Sequence, residues 1–329
     1  MSNNVFIIGN GFDLDLGLPT KYSDFAKSSF WPKASPRASS NASTGSTIRL
    51  ASSTKPVLLE HYLEKKRNLN TWFDLENELL LYSRVENKSN GKERSAFIEK
   101  NIAYYTKLQN SLCEYIISIE GNDTNKESTA FKVLKSIINN EYFEQIYSFN
   151  YTDLNKIAQS LGLFNHIKYI HLHGKVEDSS IILGVDDSEL RPGYEQFHKS
   201  SSHHYRSHDI YNALTNAKEI VIFGLSFGNI DYSYFDRFFS TLSDGDSIPE
   251  EKKKNITIFT KDDNSRLSII GKLREMKIGV QRLYAQSHFQ IICTEDNKDV
   301  GLLDEFIKRM LDNSKAAYER SWDSLSNVF

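Results

Sequence analysis

The stretch from Val5 to Thr20, VFIIGNGFDLDLGLPT, constrains the fold more than any other part of the chain. Val5 to Ile8 is a short, unbroken apolar run, the pattern of a strand buried on both faces in a parallel sheet. Gly9-Asn10-Gly11 ends the run, and glycine permits both a turn and a close approach to the backbone. After Gly17-Leu18-Pro19, the segment from Thr20 to Phe30 places Tyr22, Phe25, Ala26 and Ser29 at helical spacing. Strand, glycine turn and helix start, in that order, are how nucleotide folds present backbone N–H groups to phosphate. The glycines lack the G-x-G-x-x-G spacing, however, and a plain strand-to-helix turn would show the same residues. Asp13 and Asp15 would repel a pyrophosphate. Asp13 is left with two roles, a contact to a ribose hydroxyl or an attacking water, or the cap of a helix turn.

A compositional break follows. Ser28 to Lys55 is rich in Ser, Ala, Thr and Asn and reads as a flexible surface loop at 28–55, either a cover for a ligand or a tolerated insertion. Val57 to Tyr82, Lys92 to Glu120 and Ser128 to Asn139 carry helical periodicity, so residues 56–142 read as a helical insertion after the first strand. From Phe143 onward strands and helices alternate. Strands are expected at Glu144–Phe149, Ile167–Leu172, Ile181–Val185, Glu219–Phe223, Asn255–Thr260 and, as an edge, Phe289–Cys293. Helices are expected after Asp153, at Asp231–Leu242, Asp262–Met276 and Leu302–Leu311. This alternation implies a doubly wound, mostly parallel Rossmann-like α/β domain built from residues 1–27 and 143–329. In such sheets ligands sit at the carboxyl ends of strands. Four strand ends carry the polar residues of interest: Gly9–Asp13, Asn150–Asp153, His173–Gly174 and Gly224–Asp231.

Composition narrows the class. The 329 residues, 39% of them hydrophobic, suffice for a real core, and no run has the length of a membrane span. There is no signal-type leader, so a cytoplasmic location and no membrane contact are expected. Cys113 and Cys293 are the only cysteines, which excludes a disulfide framework or a four-cysteine zinc site. A net charge of −3 offers no bulk attraction to nucleic acid, which is not expected as a partner.

Five motifs together carry a family resemblance: GNGFDLDLGLPTKYSDF (Gly9 to Phe25), WFDLE (Trp72 to Glu76), FNYT (Phe149 to Thr152), HLHG (His171 to Gly174) and GLSFGNIDYSYF (Gly224 to Phe235). The sequence resembles the AbiH-type abortive-infection proteins of bacterial antiphage defence over nearly its whole length. Those proteins look like distant relatives of the sirtuin-like NAD-binding fold. Under that resemblance Asn150 stands where the sirtuin fold carries its catalytic Asn, His173 where it carries its catalytic His, and Gly224-Leu225-Ser226 at its later nucleotide contact. Asp13 replaces the sirtuin serine, and the zinc site is missing, which argues against a protein deacylase.

The resemblance implies hydrolysis of NAD, as substrate, to nicotinamide and ADP-ribose, with no metal and with a phage-derived trigger. Asn150 would orient the ribose or water, and His173 would be the general base. Asp13 would stand near the ribose or the developing positive charge. Gly9, Asn10 and Gly11 would meet the pyrophosphate, and Gly224 and Ser226 a phosphate or the adenosine ribose. Asp231 would bond a ribose hydroxyl or cap its helix. Each residue has a plainer reading: Asn150 and His173 as turn residues, His171 in place of His173, and Ser226 in a nucleophile elbow. His198, His203, His204 and His208 read as a solvated loop or as metal ligands. The competing function is a non-catalytic nucleotide-binding sensor or scaffold, and a nuclease or other toxin is a third. The apolar stripes of the 56–142 insertion and the C-terminal helices make a homo-oligomer the expected assembly.

Overall fold

The computed structural model describes residues 4–35, 57–69, 74–84, 92–163, 167–177, 181–185, 190–203, 205, 210–228 and 231–312. By their internal contacts they fall into two compact units. The first is Met1–Thr20, Ile116–Ile181 and His204–Phe329; the second is Lys21–Tyr115 and Ile182–His203.

The first unit is built on one all-parallel sheet of six strands: β1 (Asn4–Ile8), β2 (Phe143–Ser148), β3 (Lys168–His171), β4 (Glu219–Phe223), β5 (Lys254–Thr260) and β6 (Ser287–Cys293). Their spatial order is β3-β2-β1-β4-β5-β6. The chain winds outward from β1 to β3, returns beside β1 as β4, and winds outward the other way. This is a Rossmann-like doubly wound sheet, and its order reverses between β1 and β4.

Side-chain alternation along the strands feeds two cores. Val5, Ile7, Ile220, Ile222, Ile256 and Ile258 enter one, shared with α8 (Ile210–Asn216), α9 (Asp236–Asp244), α10 (Asp263–Glu275) and α11 (Val280–Gln286). Phe6, Ile8, Ile146, Val221, Phe223 and Phe259 enter the other, against α1 (Asn10–Asp15), α6 (Thr129–Ile138), α7 (Leu154–Ser160) and α12 (residues 300–312). Burial on both faces is why β1 and β4 read as almost unbroken apolar runs.

The second unit holds α2 (Tyr22–Lys27), α3 (Leu59–Leu69), α4 (Leu75–Ser83) and most of α5 (Lys92–Glu120), whose last turn belongs to the first unit. All of them, with α1 and α6, lie between β1 and β2 in the chain, so the large helical insertion after the first strand is present.

Helix starts follow local chemistry. Asp74, Ser128, Asp153 and Asp262 accept backbone N–H groups at the starts of α4, α6, α7 and α10. Two elements differ from expectation. The glycine turn is itself helical, because α1 begins at Asn10, directly after β1. Ile181–Val185 forms no strand. Its only β contact among the described residues is an isolated bridge from Val185 to His198. The segment is apolar because Ile182, Leu183 and Val185 are buried in the second unit, where the Tyr105 hydroxyl donates to the Leu183 carbonyl. No described helix is long and apolar enough to cross a membrane.

Candidate functional site at the sheet switch point

The site begins where β1 and β4 end. The Gly9 N–H donates to the Phe223 carbonyl and the Gly11 N–H to the Gly224 carbonyl, each at 2.9 Å. These bonds bring the start of α1 against the loop after β4 with no room for a side chain. A Cβ on Gly11 would stand 2.6 Å from the Gly224 Cα, and one on Gly224, whose φ is +68°, would stand 2.3 Å from the Phe12 nitrogen. The three glycines are thus required by backbone-to-backbone contact and, at Gly224, by the left-handed conformation. The N–H groups of Gly9 and Gly11 are engaged within the protein. No hydrogen bond among the described residues uses the Asn10 N–H, and the Asn10 side-chain oxygen accepts from the Thr20 hydroxyl at 2.5 Å.

Asn150 follows β2 and is 5% exposed. Its Nδ2 donates to the Gly9 carbonyl at 3.0 Å and to Asp13 Oδ1 at 2.8 Å. Asp13 Oδ2 accepts from the Thr152 hydroxyl at 2.9 Å. The Asn150 backbone is also held: its N–H donates to Ser148 Oγ at 3.1 Å, and its carbonyl lies 3.4 Å from His171 Nδ1. Asp13 is 1% exposed. Burial pushes its carboxyl up to about 7 against the opposing bonds from Thr152 and Asn150, and the nearby Glu120 carboxylate adds to the rise. Glu120, at the end of α5, accepts the Asp153 N–H at 2.6 Å, and its own carboxyl is raised mainly by burial.

His173 follows β3 just beyond the strand end and is buried, at 5% exposure. Its Nε2 stands 3.9 Å from Asp231 Oδ1. The Phe149 ring meets it edge-on at 5.3 Å and also contacts Tyr234 and Phe235. Phe149 precedes Asn150, so one aromatic residue links the ends of β2 and β3. In the loop after β4, Phe227 adopts φ 51°, a left-handed conformation costing about 1–3 kcal/mol in a non-glycine residue. It is held there by full burial against Phe235 and Phe239. Ser226, one residue earlier, is exposed.

The strand ends therefore gather Gly9, Gly11, Asp13, Asn150 and Gly224 into one bonded group, with His173 and Asp231 paired beside Phe149. Thr152, Ser148 and Glu120 belong to the same construction, and the sequence motifs alone assign them no role. Thr152 lies two residues after Asn150 inside the FNYT motif, and that spacing was the available signal. Glu76 of the WFDLE motif lies in the second unit, accepts the Gly184 N–H at 3.2 Å and lies 3.7 Å from the buried Lys199 ammonium. Trp72 and Phe73 lie outside the described residues, as do His204 and His208 and most of the 28–55 loop. Among the described residues no three His, Cys, Asp or Glu side chains cluster as metal donors.

A doubly wound parallel sheet with its polar residues at the switch point defines the broad class, a Rossmann-like α/β protein. The chain belongs to the AbiH family: the family model described as "Bacteriophage abortive infection AbiH" matches residues 5–247, from β1 into the loop beyond α9. Every candidate site residue falls inside that match. No curated protein matches the chain.

Proposed function

We propose that this AbiH protein serves antiphage defence by hydrolysing NAD to nicotinamide and ADP-ribose. The observation that carries the reading is the placement of Asn150 and His173. They follow adjacent parallel strands, joined through Phe149, beside the β1–β4 switch point where such sheets bind ligands. The resemblance to sirtuin-like proteins supplies the substrate class.

In this mechanism nicotinamide leaves with the electron pair of its bond to the ribose C1′, which neutralises the pyridinium ring. The ribose carbon becomes oxocarbenium-like. Asn150 orients the attacking water or the ribose hydroxyls, and His173 takes the proton that the water loses as its oxygen bonds to C1′. Asp231 orients the imidazole. The start of α1 and the loop after β4 form the nucleotide side of the site, with Asn10 and Ser226 its exposed members.

The test is chromatography of nicotinamide and ADP-ribose after NAD is incubated with the purified, folded protein, with and without phage lysate. Equal release of both products supports the reading. NAD left intact in both conditions overturns it. NAD bound without turnover, and bound equally by His173→Ala, would instead favour a nucleotide-sensing role.

A further inference from the structure

We propose that Asp13 is a positioning residue: its carboxyl group locks the Asn150 amide so that Oδ1, and not Nδ2, is presented to the substrate. The inference rests on the assignment of Asn150 to the hydrolytic site. Its structural half stands independently of that assignment.

The amide orientation is fixed by chemistry. Nδ2 faces the Gly9 carbonyl at 3.0 Å and Asp13 Oδ1 at 2.8 Å. A backbone carbonyl can only accept, so the amide edge turned toward it must be the nitrogen. Both amide protons are then used. No hydrogen bond among the described residues falls on Asn150 Oδ1, which leaves an acceptor as the group able to orient a water or a ribose hydroxyl. Asp13 is itself fixed on its other oxygen by Thr152 at 2.9 Å. With both oxygens engaged and 1% exposure, it supports Asn150 from behind. Its backbone sits on α1, whose start is bonded to Gly224. The chain of support thus runs from the sheet switch point through Asp13 to the amide, the rigid backing that a preorganised group needs.

Asp13→Asn separates this role from that of a charge at the ribose. An Asn at position 13 keeps an oxygen for Asn150 and turns its amide toward the Thr152 hydroxyl, which can accept. The expected result is kcat within about fivefold of wild type for Asp13→Asn, and a loss of about 100-fold for Asp13→Ala with KM changed less than about threefold. Thr152→Val, the milder variant, should lose about tenfold, and Thr152→Ser should recover it. Asn150→Ala/Asp13→Ala should be no slower than Asn150→Ala. A folded Asp13→Asn as inactive as Asp13→Ala would overturn the proposal in favour of a charge role, and an Asp13→Ala with undiminished kcat would also overturn it.

A second readout does not need turnover. The Asn150 side-chain NH2 resonance, identified by its disappearance in Asn150→Ala, should exchange slowly with solvent in wild type and Asp13→Asn and rapidly in Asp13→Ala. Rapid exchange in wild type overturns the positioning role. Intact NAD together with slow exchange would defeat the NAD-cleaving reading alone.

Discussion

Asn150 Nδ2 and Asp13 Oδ1 lie 2.8 Å apart, so a buried side-chain bond ties the loop after β2 to the helix after β1. The two residues are 137 positions apart in sequence, with the whole helical insertion between them. Parallel pairing of β1 with β2 is what makes them neighbours, since both elements deliver their following loops to one edge of the sheet.

Burial of Asp13 makes stability depend on pH. Its carboxyl is raised to about 7 in the fold, above an ordinary value of 3.8. The native protein therefore keeps this proton at pH values where the unfolded chain has lost it. The contribution is full below about pH 4 and is lost as pH rises to about 7, and the gap corresponds to about 4 kcal/mol. Chemical denaturation of wild type and Asp13→Asn should show the difference shifting by that amount in favour of Asp13→Asn between about pH 4 and pH 8. Asp15, whose carboxyl is also raised chiefly by burial, remains in both proteins, and Glu120, whose charge acts on Asp13, enters the difference only through that coupling. A difference that stays flat across this range would show that Asp13 is not the titrating group.

The switch-point glycines should tolerate no side chain. Gly224→Ala combines a left-handed φ with a Cβ 2.3 Å from the Phe12 nitrogen, and should cost about 3 kcal/mol or more. Gly271, inside α10, meets nothing within 4 Å, and Gly271→Ala should raise stability by about 1 kcal/mol. Urea midpoints of the two variants should move in opposite directions.

Asp231 has two distinguishable roles. If it orients His173 from its position 3.9 Å away, Asp231→Asn lowers kcat about tenfold and leaves NAD affinity within about twofold. If it bonds a ribose hydroxyl, affinity falls first. The contact to the imidazole favours the kcat effect, read by steady-state kinetics beside a binding titration.

Lys199 is fully buried, and its ammonium stands 3.7 Å from Glu76. Removing one partner leaves the other charge in a buried site, since both residues are less than a tenth exposed. Lys199→Met should cost about 3–5 kcal/mol, and Glu76→Gln combined with it should cost at least about 1 kcal/mol less than the two single changes summed. Equilibrium unfolding of the three variants measures the coupling, and strict additivity would remove the pair from the account.

Much of this fold could be read from local signals. Apolar runs such as Val5–Ile8 and Glu219–Phe223 became strands because burial on both faces leaves no polar alternation to confuse. The helices expected from Ser128 and Asp262 start there, and each of those side chains accepts the N–H three residues on, a bond decided locally. The failures were failures of distance. Gly11 was read as part of a turn, and nothing local shows that its missing side chain makes room for Gly224 inside a helix. Ile181–Val185 looked like a strand because an apolar run records burial and does not record the element doing the burying. Asn150, His173 and Asp13 were singled out from motifs. That Asp13 touches Asn150 and not solvent depends on parallel pairing across the insertion, which local pattern does not reach.

The most direct measurement is the initial rate of nicotinamide release from NAD by wild type, Asn150→Ala and His173→Ala, each purified and shown to be folded, at matched concentration with and without phage lysate. The account predicts release by wild type, with a loss of at least about 100-fold in both variants. Equal rates in all three proteins, or no release under either condition, would contradict it.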